Sequence, residues 1–450
     1  MLAPEEKLKL SPKPYLSACP RFADGSDTPR QFLERCLADI SALEPKIGAF
    51  VHLDVDGARA AADRAGTRWR EGRPLSKIDG MPVGIKDIIE TIDMPTQNGS
   101  PLYAGWQSGR DGASVAALRE AGAVILGKTV TTEFAATEPR GTRNPHDMRR
   151  TPGGSSSGSA AGVAAGMLSA GLGTQVIGST IRPASYCGCV GFKVSVGALN
   201  RGGSLDGLSQ SVTGVLATTL EDAWQVAWEI ASRAGGDPGY PGLSGPPSAP
   251  EPRKPSRVAF LETPGWATAT SDAKDAMSDA LARCKAAGIE VLTRQSHAKV
   301  AAVEAAIARA RELSMRLNAW EWRWPLNTYR ARDAQMLSRV LLDRLTEAEA
   351  MTLDDYRADL VQRDKDRALH GGLTAECEAC ISLSAPSAAP IGLHSTGDPN
   401  CTVHTSYLGI PAISLPVLQD EGLPLGLQVT GFANGDAHAF ATATALAALF

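Results

Sequence analysis

Two serine clusters and one lysine carry the residue types that acyl transfer needs. The first cluster is Gly153-Gly154-Ser155-Ser156-Ser157-Gly158 and the second is Gln175-Val176-Ile177-Gly178-Ser179. Glycines let the backbone reach φ > 0 and let a neighbouring segment come close. The Ala-rich run over residues 159–167 has helical composition. The first cluster therefore stands where a helix begins, beside unpaired N–H groups and the positive end of a dipole. Residues 172–175 read as a short strand and 180–186 as a turn of helix, so Ser179 would project from a tight turn into a ring of backbone N–H groups. An exposed Oγ with donors aimed at the oxyanion is what an acyl-transfer nucleophile requires. Lys86 sits in Pro82-Val83-Gly84-Ile85-Lys86-Asp87, followed by Ile88. An ordinary lysine, pKa about 10.4, is protonated at neutral pH. Burial among apolar neighbours disfavours the charge, lowers that pKa and permits a general base.

Each feature also has a plainer reading. Gly/Ser-rich stretches form flexible linkers or phosphate cradles, although the GKS or GKT ending of a P-loop is absent here. A linker would not be interleaved with Val163, Met167, Leu168, Leu172, Val176 and Ile177. A strand lysine ordinarily points to solvent, because lysine is rarely buried without a task.

The elements that would hold these groups follow from pattern. Residues 1–25 read as irregular. Thr28 is an N-cap with Pro29 at the first helical position, and a helix follows over 31–43 with apolar residues at helical spacing. A strand is expected at 47–53, a helix at 56–72, and an apolar, strand-like segment at 80–92. A helix and a strand within 115–126 are separated by Gly122. Residues 204–211 should form a loop near the site, and 221–234 a helix. The Pro/Gly-rich stretch 235–255 is the clearest change of composition and reads as a surface linker. Beyond it come a strand at 257–261, a helix at 271–287 and a strand at 289–292. A charged, mostly helical stretch, 300–370, then carries Trp320, Trp322 and Trp324. The end of the chain returns to strands, with 413–417 pairing with 425–429, and closes on a helix over 437–450.

Composition narrows the class. A net charge of −4 over 450 residues leaves no nucleic-acid footprint. No apolar run approaches the roughly 20 residues of a membrane span, and the charged opening segment MLAPEEKLKL lacks the apolar stretch of a secretory signal. A soluble, cytoplasmic protein is expected. The eight cysteines do not form a disulfide framework, and Cys377 and Cys380 lack the second pair that would complete a zinc site. Neither a metal nor a cofactor is expected.

Taken in order, VGIKD, GGSSSG, GTQVIGSTIRPA and YCGCVGFK resemble the motifs of the amidase signature family, serine amidohydrolases that use a Ser–cis-Ser–Lys triad. The GTQ form is malonamidase-like. Residues 116–128 and 409–431, Thr132-Glu133-Phe134 and Arg143-Asn144-Pro145 extend the resemblance over most of the chain outside 235–373. Several ordered motifs are far more specific than a lone GxSxG. The resemblance implies an α/β fold with a large mixed β-sheet covered on both faces by helices. It divides the chain into a core part (1–234), the linker (235–255), a variable, mostly helical, substrate-shaping region (256–372) and a second core part (373–450). It implies an amidase acting on linear amides, with Ser179 as nucleophile, Ser155 as the relay at a cis peptide and Lys86 as base. Ser156 would order Lys86 and the cis peptide. The N–H groups of Val176, Ile177, Gly178 and Ser179 would form the oxyanion hole. The substrate would be a small carboxylic acid amide, with an esterase or the glutaminase component of an amidotransferase as alternatives and a homodimer as the assembly left open.

Two departures stand out. Val194 occupies a position usually held by Pro. Gln175 replaces an Asp that would give Arg182 a carboxylate partner. Gly154, Gln175 and Arg182 are therefore expected at the substrate, with Arg182 free to bind a substrate carboxylate or held by another acid or a carbonyl. Bulky Val176 and Ile177 narrow the same turn and favour a small acyl group.

Overall fold

The computed structural model describes residues 8–450; the opening segment at 1–7 lies outside the described residues. Eleven strands form one sheet: β1 (Phe50–Leu53), β2 (Pro82–Lys86), β3 (Val124–Thr129), β4 (Ala170–Gln175), β5 (Val190–Lys193), β6 (Val212–Ala217), β7 (Arg257–Phe260), β8 (Glu290–Leu292), β9 (Ala379–Leu383), β10 (Ala412–Asp420) and β11 (Leu423–Thr430). Their spatial order is β1-β3-β2-β4-β6-β5-β10-β11-β9-β7-β8. The sheet is mixed: β2 pairs in parallel with β3 and β4, whereas β4 with β6 and β10 with β11 are antiparallel.

Side chains alternate between the two faces of a strand, and two separate apolar layers result. Val124 and Leu126 join one layer and Ile125 the other; Leu216 joins the first, Val215 and Ala217 the second. Helices Pro29–Ile47 and Ser157–Ala164 supply Leu33, Ile40, Ala160 and Val163 to one layer. Helices Ala113–Glu120, Leu220–Ala234 and Asp436–Ala447 supply Val115, Leu118, Trp224, Ile230 and Phe440 to the other. Strands covered on both faces read as continuous apolar runs, which is why β2, β3 and β4 are buried along their whole length.

Local signals explain most boundaries. Thr28 caps its helix through the Gln31 N–H with Pro29 behind it, and Gly122 (φ +87°) separates helix from strand. Three expectations need correction. The first 25 residues contain a short helix, Cys19–Ala23, started by Pro20. The stretch 235–255 has no helix or strand, yet it is an ordered strap: Leu243 N–H donates to Ala198, Arg253 N–H to Ala441, and Trp224 Nε1 to Pro246, at 2.8, 3.0 and 3.1 Å. Residues 256–372 do not stand apart from the core. Val258, Ala259 and Phe260 are buried, and β7 pairs in parallel with both β8 and β9, so the sheet runs through 257–292 before the helical cover begins at Ala298. Among the described residues no helix is long and apolar enough to cross a membrane.

Candidate active site

Lys86 ends the interior strand β2, with Ile85 buried beside it. Its Nζ is fully enclosed, 2.7 Å from Ser155 Oγ and 2.8 Å from Thr174 Oγ1. Burial pushes its pKa down from the ordinary lysine value to about 7, and the charge of Asp206 opposes that shift. A large fraction of Lys86 is thus neutral near physiological pH, as a base must be.

Ser155 follows a cis peptide bond from Gly154. The rest of the serine cluster is stitched to neighbouring strands. Ser157 Oγ donates to Val130 O (3.3 Å), Ser159 Oγ to Leu172 O (2.8 Å), and Ser156 N–H to Ser179 O (3.3 Å). Ser156 Oγ donates to Thr174 O and accepts from Thr174 N–H at 3.3 and 3.2 Å. Thr174 thus bonds both Ser156, through its backbone, and Lys86, through its hydroxyl. Gly173 makes this possible, since a Cβ there would lie 2.6 Å from Ser156 Oγ.

Ser179 sits in the turn between β4 and the helix Ile181–Cys187, half-buried, with its neighbours Val176, Ile177 and Gly178 lining the same cavity. Among the described residues, the N–H groups of Val176 to Ser179 donate to no protein acceptor, while the next two, Thr180 and Ile181, both donate to Gln175 Oε1 at 3.0 Å. The four residues Val176 to Ser179 line one small cavity of about 60 Å³, room for only a handful of waters. Its wall also includes Phe134, Arg182, Asp206, Leu208, Asn318, Trp322 and Arg344.

Two expectations at this turn change. Gln175 does not line the cavity. It is fully buried, its carbonyl caps the turn and its amide donates to Thr405 and Ser406 at 3.2 and 3.3 Å. A neutral amide can accept and donate in this way; a carboxylate could only accept. Gly154 reaches the site indirectly, since its carbonyl accepts from Arg182 Nη2 at 2.7 Å. The same nitrogen donates to Thr396 Oγ1 at 2.9 Å, whereas Arg182 Nε is buried without a partner. No carboxylate forms an ion pair with Arg182 among the described residues, and burial lowers its pKa.

His146 donates to or accepts from nothing at the serines; its Nε2 lies 2.9 Å from Cys187 O. Cys377 and Cys380 are buried, and no group of three metal-binding side chains gathers among the described residues. Sequence reasoning missed Thr174, Asp206, Asn318 and Arg344. Arg344 had a visible signal: with Leu341, Leu345 and Ala348 it falls on the buried face of its helix, Arg339–Ala350, where a charge is unexpected.

Comparison with known proteins adds to this geometry. The Amidase family model matches residues 31–439. The chain is 32% identical to the A subunit of the glutamyl-tRNA(Gln) amidotransferase of Chloroflexus aggregans and 33% identical to that of Chloroflexus aurantiacus, covering 91% of both chains in each case. A crystal structure of an amidase superposes with a TM-score of 0.83 at 26% identity, covering 96% of this chain and 98% of the other. The native peptide amidase of Stenotrophomonas maltophilia superposes with a TM-score of 0.77 at 25% identity, covering 96% of each chain.

Proposed function

Because the chain belongs to the amidase family, we propose that it hydrolyses a small linear carboxylic acid amide to the acid and ammonia or an amine, through an acyl-enzyme on Ser179. The observation that carries this reading is the enclosed Lys86 Nζ at 2.7 Å from Ser155 Oγ, beside the half-buried Ser179. Ser179 Oγ attacks the carbonyl carbon. Its proton passes to Ser155, whose own proton goes to neutral Lys86, and the relay runs back to protonate the leaving nitrogen. The four free N–H groups of Val176 to Ser179 hold the oxyanion, a preorganised donor of this kind contributing about 3 kcal/mol. Water then attacks the acyl-enzyme by the same relay.

The cavity favours a small acyl group that bears a carboxylate. Two buried guanidiniums, Arg182 and Arg344, line it, and neither has an ion-pair partner among the described residues. Turnover of malonamic and succinamic acids against propionamide and butyramide tests this reading. Faster hydrolysis of the acidic pair and a burst of ammonia equal to the enzyme concentration support it; unchanged turnover by Ser179→Ala sinks it.

The curated relatives favour a second reading. Their name makes each of them one component of an amidotransferase, so a partner chain, rather than the homodimer, is the assembly they suggest. Robust amide hydrolysis by the purified chain alone argues against that role, and ammonia release only on adding a partner supports it.

A further inference from the structure

We propose that Asp206 accepts a hydrogen bond from the N–H of the scissile amide and so makes the site select amides over esters, an inference that rests on the amidohydrolase reading above. Asp206 is the only carboxylate among the residues lining the cavity. It is 6% exposed, its Oδ2 has no hydrogen-bond partner, and it forms no ion pair among the described residues. A buried carboxylate oxygen left without a donor is costly, and here it belongs to a residue that lines the cavity.

The loop that carries Asp206 is tied to the turn that carries Lys86. Ile89 N–H donates to Lys86 O (3.0 Å), Leu205 N–H to Ile88 O (2.9 Å), and Glu90 N–H to Gly203 O (2.9 Å). Arg201 holds the loop from its other side. It pairs with Asp237 at 2.6 Å and donates to the carbonyls of Asp206 and Leu208 at 3.3 and 2.8 Å. Asp206 is thus held beside the base, and it is the acid whose charge Lys86 senses.

The leaving nitrogen must lie on this side of the cavity, because its proton comes back through Ser155 from Lys86. In the step proposed, the Ser179 Oγ–carbon bond forms and the carbon–nitrogen bond breaks. The nitrogen leaves with the proton from Ser155, and Asp206 remains a carboxylate throughout. An amide nitrogen presents an N–H to Asp206. An ester presents only lone pairs, which the carboxylate repels.

The test compares Asp206→Ala and Asp206→Asn with wild type on succinamic acid and its ester counterpart, monomethyl succinate. A fluorophosphonate probe, which labels the nucleophile without a leaving N–H, is measured in parallel. The expected result for Asp206→Ala is a loss of at least about tenfold in kcat/KM on the amide, with the ester unchanged or faster and the labelling rate not reduced. Asp206→Asn retains an acceptor oxygen and should fall in between. Equal losses on amide and ester, or slowed labelling, overturn the proposal and make Asp206 a prop for the relay. A wild-type enzyme that is labelled and cleaves the ester but no amide overturns the amidohydrolase reading itself.

Discussion

Around Ser155 and Ser179 the polar side chains are bonded across strands, Ser156 to Thr174, Ser159 to Leu172 and Gln175 to Thr180, Ile181, Thr405 and Ser406. On the helices between residues 298 and 371 many charged side chains instead pair with each other at the surface, as Arg309 does with Glu312 and Arg330 with Glu349. The first arrangement is buried, preorganised and intolerant of a shift, as reacting groups demand. The second is solvated, and surface pairs of this kind add little. From this cover only Asn318, Trp322 and Arg344 reach the cavity. On the proposed reading the reaction belongs to the core around β2 and β4, which also carries Arg182 and Asp206, and the cover adds Asn318, Trp322 and Arg344 to the wall around the substrate.

The largest effect should come from the centre. Lys86→Ala should lower kcat by about 10²–10⁴-fold and leave the fold intact, with kcat and circular dichroism as the measurements. An active Lys86→Ala enzyme would break the division at once.

The pH dependence comes next. In the proposed relay Lys86 works as the neutral amine, and burial brings its pKa down to about 7. kcat/KM should therefore rise with pH through about 7 and level off above it. A profile that falls steadily from pH 6 to 9 would remove Lys86 as the base.

The border between the two regions should show a smaller, selective effect. Arg182→Gln should reduce kcat/KM on acidic amides by at least about tenfold, or ~1.4 kcal/mol, with neutral amides affected less. Arg182→Lys tests the planar fork, which a lysine does not reproduce. Arg344→Gln should act in the same direction with less effect on kcat, since Arg344 comes from the cover alone. Equal losses on acidic and neutral amides would mean that Arg182 only supports the Gly154 carbonyl that it contacts.

At the far surface, Arg330→Ala should change neither turnover nor Tm measurably. A clear loss of activity would show that the cover does more than shape the cavity.

How much of this was legible differs from region to region. The triad candidates were visible because their motifs are local: a glycine-flanked serine cluster, a serine in a tight turn and a lysine between apolar residues. Thr28, Pro29 and Gly122 marked boundaries through their own backbone preferences. The pairing of β10 with β11 was expected between residues 413–417 and 425–429, and the strands pair there. Strands β5 and β6 were not foreseen, and β7 and β8 were assigned to the wrong region, because a four-residue apolar run does not reveal which sheet it will join. Gln175 was misplaced for a related reason. Its type suggested a missing counter-charge for Arg182, but only the folded turn shows its amide capping Thr180 and Ile181.

The sequence alone determined the family, the serine and lysine candidates and most helix limits, since these depend on neighbours within a few residues. The tertiary structure decided which distant side chains share the cavity. Lys86 meets Ser155 across 69 positions of chain, and Asp206 and Arg344 join Ser179 at the cavity from separate segments. Burial by those segments is also what lowers the Lys86 pKa, because removing water from an ammonium requires walls that no local stretch can provide.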